Sequence, residues 1–213
     1  MATDPLLDAE LESLIHAVSH DLGEPLRSLE GFSVALLEDY GDALDEDGQL
    51  YIGRIRAATA RLGARIDALL KLSRHTRGEL ALAPVDLGLL AQQATPPALT
   101  LRCQGDLTAH GDARLLRHLL DELLGNCAKF EAKSAALARD AEGAFTLIDD
   151  GVGFDPTYAE RIFVAFGRYH GPDEYPGQGV GLTIARRIVH RHGGTIAATS
   201  PGTGCTVRFT LPR

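Results

Sequence analysis

The chain is 213 residues long, 45% hydrophobic and 23% charged, with a formal net charge of -8 at pH 7. Such a composition belongs to a globular protein of one large or two small domains, and the acidic balance excludes nucleic-acid binding through a general basic field. No apolar run approaches the roughly 20 residues of a membrane helix, residues Met1 to Pro5 lack a signal-peptide pattern, and Cys103, Cys127 and Cys205 are too scattered for a zinc knuckle or a disulfide framework. The expected compartment is the cytoplasm, whether the chain stands alone or is the cytoplasmic part of something longer.

In the first part of the chain apolar residues recur at Leu11, Ile15, Val18, Leu22, Leu29, Phe32 and Leu36, in steps of three and four broken only at Pro25. After an acidic, glycine-containing break over 38–48 the rhythm resumes at Ile52, Ile55, Leu62, Ile66 and Leu69, with Thr59 in one slot. This spacing predicts two helices of a bundle. Two antiparallel helices alone would leave much apolar surface bare, so the pattern favours pairing with a second copy into a four-helix bundle over a lone hairpin packed on the rest of the chain. At about 100° per residue, His20 falls on the side of its helix away from this seam. Pro25, inside the same helix, has no N–H for the carbonyl of residue 21 and is expected to loosen the helix just after His20.

The pattern changes near residue 78. Ala83-Pro84-Val85-Asp86-Leu87 reads as a short strand feeding a helix capped by Asp86. Leu99 to Cys103 alternate, Asp112 to Phe130 predicts a helix, and 134–138 and 144–148 predict strands. Thr183 to His192 reads as a helix closed by Gly193-Gly194, with final strands over 195–198 and 206–211. Strands on one side and helices on the other give an α+β class: a helical hairpin over 1–78, then an α/β sandwich over 79–213.

Several segments carry chemistry. Glu122 and Asn126 are four apart on one helix face, with Lys129 three further on. An amide oxygen there suits Mg²⁺, and an ammonium suits phosphate oxygens. Asp149-x-Gly151-x-Gly153 follows a strand; a carboxylate at a strand end can accept the exocyclic amine of adenine, and glycines let backbone approach the base. Gly177-x-Gly179-x-Gly181-Leu182 runs directly into a helix and offers free amides and a positive helix end to phosphates. Between them, Arg168 to Pro176 reads as a mobile lid.

Together with His20-Asp21-Leu22-Gly23-Glu24-Pro25-Leu26, these segments resemble, in order and over nearly the whole chain, the catalytic core of a two-component sensor histidine kinase. His20, Asp21 and Pro25 are similar to the phosphoacceptor box, Asn126 and Lys129 to the N box, and Asp149 to Gly153 to the first glycine box. Phe163 to Phe166 resemble the aromatic box, Gly177 to Gly181 the second glycine box, and Gly202 to Thr206 the last. The resemblance implies a dimerisation and phosphotransfer bundle followed by an ATP-binding domain of the Bergerat fold. It implies His20 and Asp21 as the catalytic pair. ATP would be held by Asn126, Lys129, Asp149, Gly151, Gly153, Arg168, Gly177, Gly179, Gly181, Leu182 and Thr206, with Mg²⁺ at Asn126 and Glu122. The implied partners are a second copy of the chain and the receiver domain of a response regulator, with the sensor module lying outside these residues. The His-Asp-Leu-x-Glu-Pro-Leu-Arg variant is most similar to kinases joined to soluble sensors such as bacteriophytochromes.

Three departures keep alternatives open. Glu122 stands where many such kinases carry asparagine and gyrase-like ATPases carry a water-activating glutamate, so an ATP hydrolase with a dimerising bundle is a second reading. The stretches Leu90 to Asp106 and Glu131 to Gly143 look short for the family, which leaves a non-catalytic phosphotransfer or scaffold protein as a third. Glu24, four after His20, is electrostatically unsuited to placing water against a phosphoaspartate, so phosphatase activity is expected to be weaker than kinase activity.

Overall fold

The structure is a computed structural model that describes residues 5–74, 79–167, 175 and 177–212. The chain divides into two compact units, Met1–Arg74 and His75–Arg213. The first is a helical hairpin: α1 (Pro5–Tyr40), a 3₁₀ turn at Gly41–Ala43, and α2 (Glu46–Arg74). A side-chain oxygen at the start of a helix satisfies an amide that has no partner within it. Asp45 does this for α2 by accepting the Gly48 N–H at 2.8 Å. The Gln49 side chain ties the turn by donating to the Gly41 carbonyl at 3.0 Å. Pro25 lies inside α1 without ending it, so the carbonyl of Asp21 has no helical N–H to accept from.

Of the large apolar residues in the sequence pattern, Ile52 and Ile66 of α2 are buried in the hairpin, whereas those of α1 from Val18 to Leu36 are not. The buried positions include Ser19, Leu26 and Ser33 on α1 and Ile52, Thr59, Ile66 and Ser73 on α2, each series spaced by sevens. The hydroxyls of Ser33 and Thr59 turn back onto their own helices, at 2.8 Å to the Glu30 carbonyl and 3.0 Å to that of Ile55. Small side chains let the two backbones approach, whereas Val18, Leu22, Leu29, Phe32 and Leu36 stay exposed, Phe32 at 72%, as do Tyr51, Ile55 and Leu62.

The second unit is built on a five-stranded sheet in the order β2-β4-β5-β7-β6, with a separate two-stranded β1-β3 pair. Its strands are β1 (Leu82–Asp86), β2 (Thr100–Gln104), β3 (Thr108–Asp112), β4 (Ser134–Arg139), β5 (Phe145–Asp149), β6 (Ile196–Thr199) and β7 (Cys205–Phe209). Among the described strands only β2 and β4 run parallel. Period-two alternation buries Phe145, Leu147, Val207 and Phe209 on one face and leaves Ile148 half exposed on the other. Helices α3 (Leu87–Ala94), α4 (Ala113–Lys129) and α5 (Gly181–Arg191) supply the opposing apolar surface. On α4, Leu115, Leu116, Leu119, Leu120, Leu123 and Leu124 are all buried, and their spacing puts them on a single face. The helix starts at Asp112, whose carboxylate accepts the Arg114 N–H at 3.0 Å and the Leu115 N–H at 3.2 Å.

The strand β3 has no sequence signal. Thr-Ala-His-Gly-Asp is poor in strand formers, and it is extended because β1 pairs with it antiparallel. Its Gly111 is required by space: a Cβ there would come within 2.7 Å of Leu116 and 2.9 Å of the His192 ring. That buried imidazole bridges two helices. Its Nε2 accepts the Asp112 N–H at 3.0 Å, and Nδ1 donates to the Ile188 carbonyl at 2.8 Å, tying the end of α5 to the start of α4. Replacing His192 with Leu keeps apolar volume and orphans a buried N–H. A loss of about 1–3 kcal/mol is expected, read as a lower urea midpoint at an unchanged slope.

Candidate functional site

Asp149 is the last residue of β5, in register with Cys205 at the start of β7. Its Oδ1 accepts the Gly151 N–H at 2.9 Å and the Cys205 N–H at 3.2 Å, and the Cys127 thiol of α4 lies 3.5 Å from Oδ2. Burial and the Asp149 charge push the Cys127 thiol well above the ordinary range, and the same two causes push Cys205 up to about 12. Both thiols are therefore neutral at physiological pH. The neighbouring Asp150 stitches β5 to β4: its Oδ1 accepts the N–H groups of Lys133 and Ser134, and its Oδ2 accepts the Ser134 hydroxyl, all at 2.8 Å. Thr206 is not brought to Asp149. It pairs with Ile148 and Thr199, which the strand alternation places on the sheet face opposite Asp149.

The first and last glycine segments are knotted together. The buried Ser200 hydroxyl accepts from the N–H groups of Phe154 at 3.1 Å and Gly202 at 3.2 Å, and donates to the Gly204 carbonyl at 2.7 Å. Gly204 in turn donates its N–H to the Gly151 carbonyl at 2.7 Å. Gly153 adopts φ +71°, where a Cβ would sit 2.6 Å from the Ser200 hydroxyl and 2.9 Å from the Gly204 carbonyl. Only glycine takes such a backbone in so tight a space. Ser200 is the site residue that sequence reasoning missed; a single serine between a strand and a glycine turn has no distinguishing pattern.

The second glycine segment meets α4. At Gly181, the first residue of α5, a Cβ would lie 2.5 Å from a Glu122 carboxylate oxygen and 3.7 Å from the Asn126 side-chain amide. At Gly177 it would lie 3.1 Å from the Lys129 ammonium. Glu122, Asn126 and Lys129 thus converge with Gly177, Gly181 and the adjoining Leu182, as their spacing on one helix face requires. Gly179, at φ +71°, packs on the Gly167 carbonyl, and its own carbonyl accepts the Phe166 N–H at 2.8 Å. Lys129 also lies over the Phe130 ring, 4.7 Å from its centre, and Tyr175 stacks edge-on against that ring while donating to Glu131 at 3.1 Å. Arg168, and the expected lid apart from Tyr175, lie outside the described residues. Among the described residues no group of three or more His, Cys, Asp or Glu side chains is placed to hold a metal.

In the hairpin, His20 and Asp21 are 79% and 81% exposed, with Nδ1 of the imidazole 3.3 Å from the Asp21 carboxylate.

Two families match. Residues 10–78 match the His Kinase A (phospho-acceptor) domain, and residues 111–213 match the histidine kinase-, DNA gyrase B-, and HSP90-like ATPase. The chain belongs to the sensor histidine kinase family, of which it has the catalytic core. It is 32% identical to cyanobacterial phytochrome B of a Nostoc species over 95% of this histidine kinase core and 29% of the phytochrome. It is 33% identical to the sensor protein KdpD of Escherichia coli over 94% of the core and 24% of that protein. The core therefore spans less than a third of the length of either of these relatives. Among solved structures, full-length ShkA in complex with AMPPNP superposes with a TM-score of 0.61 at 26% identity, over 94% of this chain and 45% of that one. The Acinetobacter baumannii histidine kinase AdeS, at 16% identity, shares the fold with a TM-score of 0.56 over 90% of this chain and 96% of its own. No helix among the described residues is long and apolar enough to cross a membrane.

The knot at Gly153 gives this kinase core a sharp test. Gly153→Ala forces a Cβ against a backbone carbonyl at a left-handed φ, so the affinity for ATP, titrated by calorimetry, is expected to fall about tenfold or more.

Proposed function

We propose that this kinase core transfers the γ-phosphoryl group of ATP to His20 and then passes it to an aspartate on the receiver domain of a response regulator, acting as a cytoplasmic homodimer. Residues 1–78 serve dimerisation and phosphotransfer, and 79–213 bind ATP. The observation that carries the reading is the exposed His20–Asp21 pair, in a chain whose residues 111–213 match the histidine kinase-, DNA gyrase B-, and HSP90-like ATPase. With Asp21 accepting from Nδ1, the tautomer that leaves the Nε2 lone pair free is favoured, and a neutral imidazole is a competent nucleophile near pH 7. Nε2 attacks the γ-phosphorus, the bond to the bridging oxygen of the β-phosphate breaks, and ADP departs with that electron pair. The proton stays on Nδ1, hydrogen-bonded to Asp21, whose carboxylate stabilises the positive charge that develops on the ring, and it is then lost to Asp21 or water to leave neutral phosphohistidine.

Within the ATP-binding unit, Asp149 accepts the adenine amine, and the backbone at Gly151, Gly153 and Gly204 leaves room for the base. The α5 helix begins without a side-chain cap from Val180, so its start suits phosphate oxygens, with Lys129 nearby at Gly177. Leu182 adjoins this phosphate site, the family resemblance adds Arg168 to it, and Thr206 stands on the opposite face of the sheet, away from the base. Asn126 and Glu122 offer hard oxygen donors, few enough for phosphates and water to complete the octahedron that Mg²⁺ requires. Bound there, Mg²⁺ would neutralise charge on the β- and γ-phosphates. The exposed stripe Val18, Leu22, Leu29, Phe32, Leu36, Tyr51, Ile55 and Leu62 is the surface that a second copy covers, and His20 faces away from it.

A second reading, ATP hydrolysis with Glu122 as the base, is favoured by the placement of that carboxylate against the start of α5. His20→Gln separates the two. On the kinase reading it abolishes acid-labile, base-stable labelling from γ-labelled ATP while ATP affinity stays within about twofold. A hydrolase would keep its full ATP turnover in that variant and lose it in Glu122→Gln. The dimer has its own test. Placing a charge at Phe32 or Leu29 by substitution with Asp should convert the dimer to monomer in light scattering, because an unpaired carboxylate cannot be buried in an apolar seam.

A further inference from the structure

Resting on the reading that Asp149 recognises adenine, we propose that Cys127 is a positioning residue for that carboxylate and so sets the preference for a 6-amino over a 6-oxo purine. An ionised carboxylate only accepts hydrogen bonds and has about four lone-pair positions. Three donors from three separate elements face Asp149: the Gly151 N–H in the loop after β5 and the Cys205 N–H of β7, both on Oδ1, and the Cys127 S–H of α4 on Oδ2. One acceptor position on Oδ2 remains, and its direction is fixed by the other three.

Cys127 is the member of this set that a side-chain substitution can remove. The residue is buried. Its sulfur lies 3.3 Å from the Leu123 carbonyl and 3.5 Å from Asp149 Oδ2. Its single proton thus has two acceptors, and the charged one is preferred. Without this donor, Oδ2 is free to rotate away from the line of the incoming amine. The same rotation relieves the repulsion that a fixed carboxylate exerts on a 6-oxo group, so discrimination narrows from both sides.

The experiment is calorimetric titration of the full chain with Mg-ATP and with Mg-ITP, the inosine nucleotide that carries an oxygen in place of the 6-amino group. Cys127→Ala is expected to weaken ATP binding roughly threefold to tenfold, the loss of one ordinary hydrogen bond, and to leave ITP affinity unchanged or improved. Cys127→Ser, which restores a donor of similar size, should return the ATP-to-ITP ratio to within about twofold of the parent. A Cys127→Ala protein that loses affinity for both nucleotides equally, or a Ser variant no better than Ala, overturns the proposal and leaves Cys127 as packing alone. Asp149→Asn is the control on the underlying reading. If it binds ATP as tightly as the parent, adenine recognition by Asp149 fails and the role of Cys127 fails with it; if it loses ATP while Cys127→Ala does not, only the role of Cys127 is wrong.

Discussion

The register of β5 against β7 is the constraint on which the rest of the nucleotide site depends. Phe145 pairs with Phe209 and Leu147 with Val207, all four buried, and the two aromatic rings stack with centres 5.4 Å apart. A slip of one residue would turn every side chain of one strand to the other face and expose that core. The same register, continued two residues further, puts Asp149 opposite Cys205 and gives the carboxylate a backbone donor from the neighbouring strand. The site therefore inherits its geometry from the hydrophobic core. Asp150 reinforces it by binding the start of β4, so the end of β5 is held from both sides.

That dependence explains which parts were legible in the sequence. The helix α4 and the strands β4 and β5 follow from apolar periodicity, and the candidates Asn126 and Lys129 follow from their spacing on one face of that helix, as Asp149 does from its place between a strand and a glycine segment. The face of Thr206 was not legible, because parity along a strand is set by where the pairing starts, and the turn at Gly202 to Gly204 shifts that start. The Ser200 knot was hidden for a related reason. Its partners Phe154, Gly202 and Gly204 come from two loops, and only the pairing of β5 with β7 brings those loops together.

In the hairpin the large apolar residues announced a seam but not which surface it joins. Ser19 and Ser33 flank Leu26 on the buried face of α1, and the larger residues beside them are left exposed. Two stripes lie side by side on one helix, offset by one residue from Val18 to Ser19, which is about 100°. On α1 the periodicity from Val18 to Leu36 follows only the outer one, whereas on α2 it runs through buried Ile52, Thr59 and Ile66 and exposed Ile55 and Leu62 alike. Burial separates them, and the outer one is the surface that the proposed dimer requires. The position of His20, about 200° from Val18 around the helix, keeps the proposed nucleophile clear of both.

The start of α5 completes the electrostatic argument. In the sheet unit α3 and α4 each begin with an aspartate that accepts first-turn amides, whereas α5 begins at Val180 with no side-chain cap. An uncapped helix start attracts an anion. Glu122 already places a carboxylate beside Gly181 there, and on the proposed reading the phosphates of ATP approach the same point. Two anions in one small volume repel unless a cation lies between them. Lys129 stands on the Gly177 side of the cradle, and on the proposed reading a divalent ion would stand on the Glu122 side. On that reading the carboxylate would serve as a ligand to the ion, so that one cation offsets its charge and that of the phosphates together.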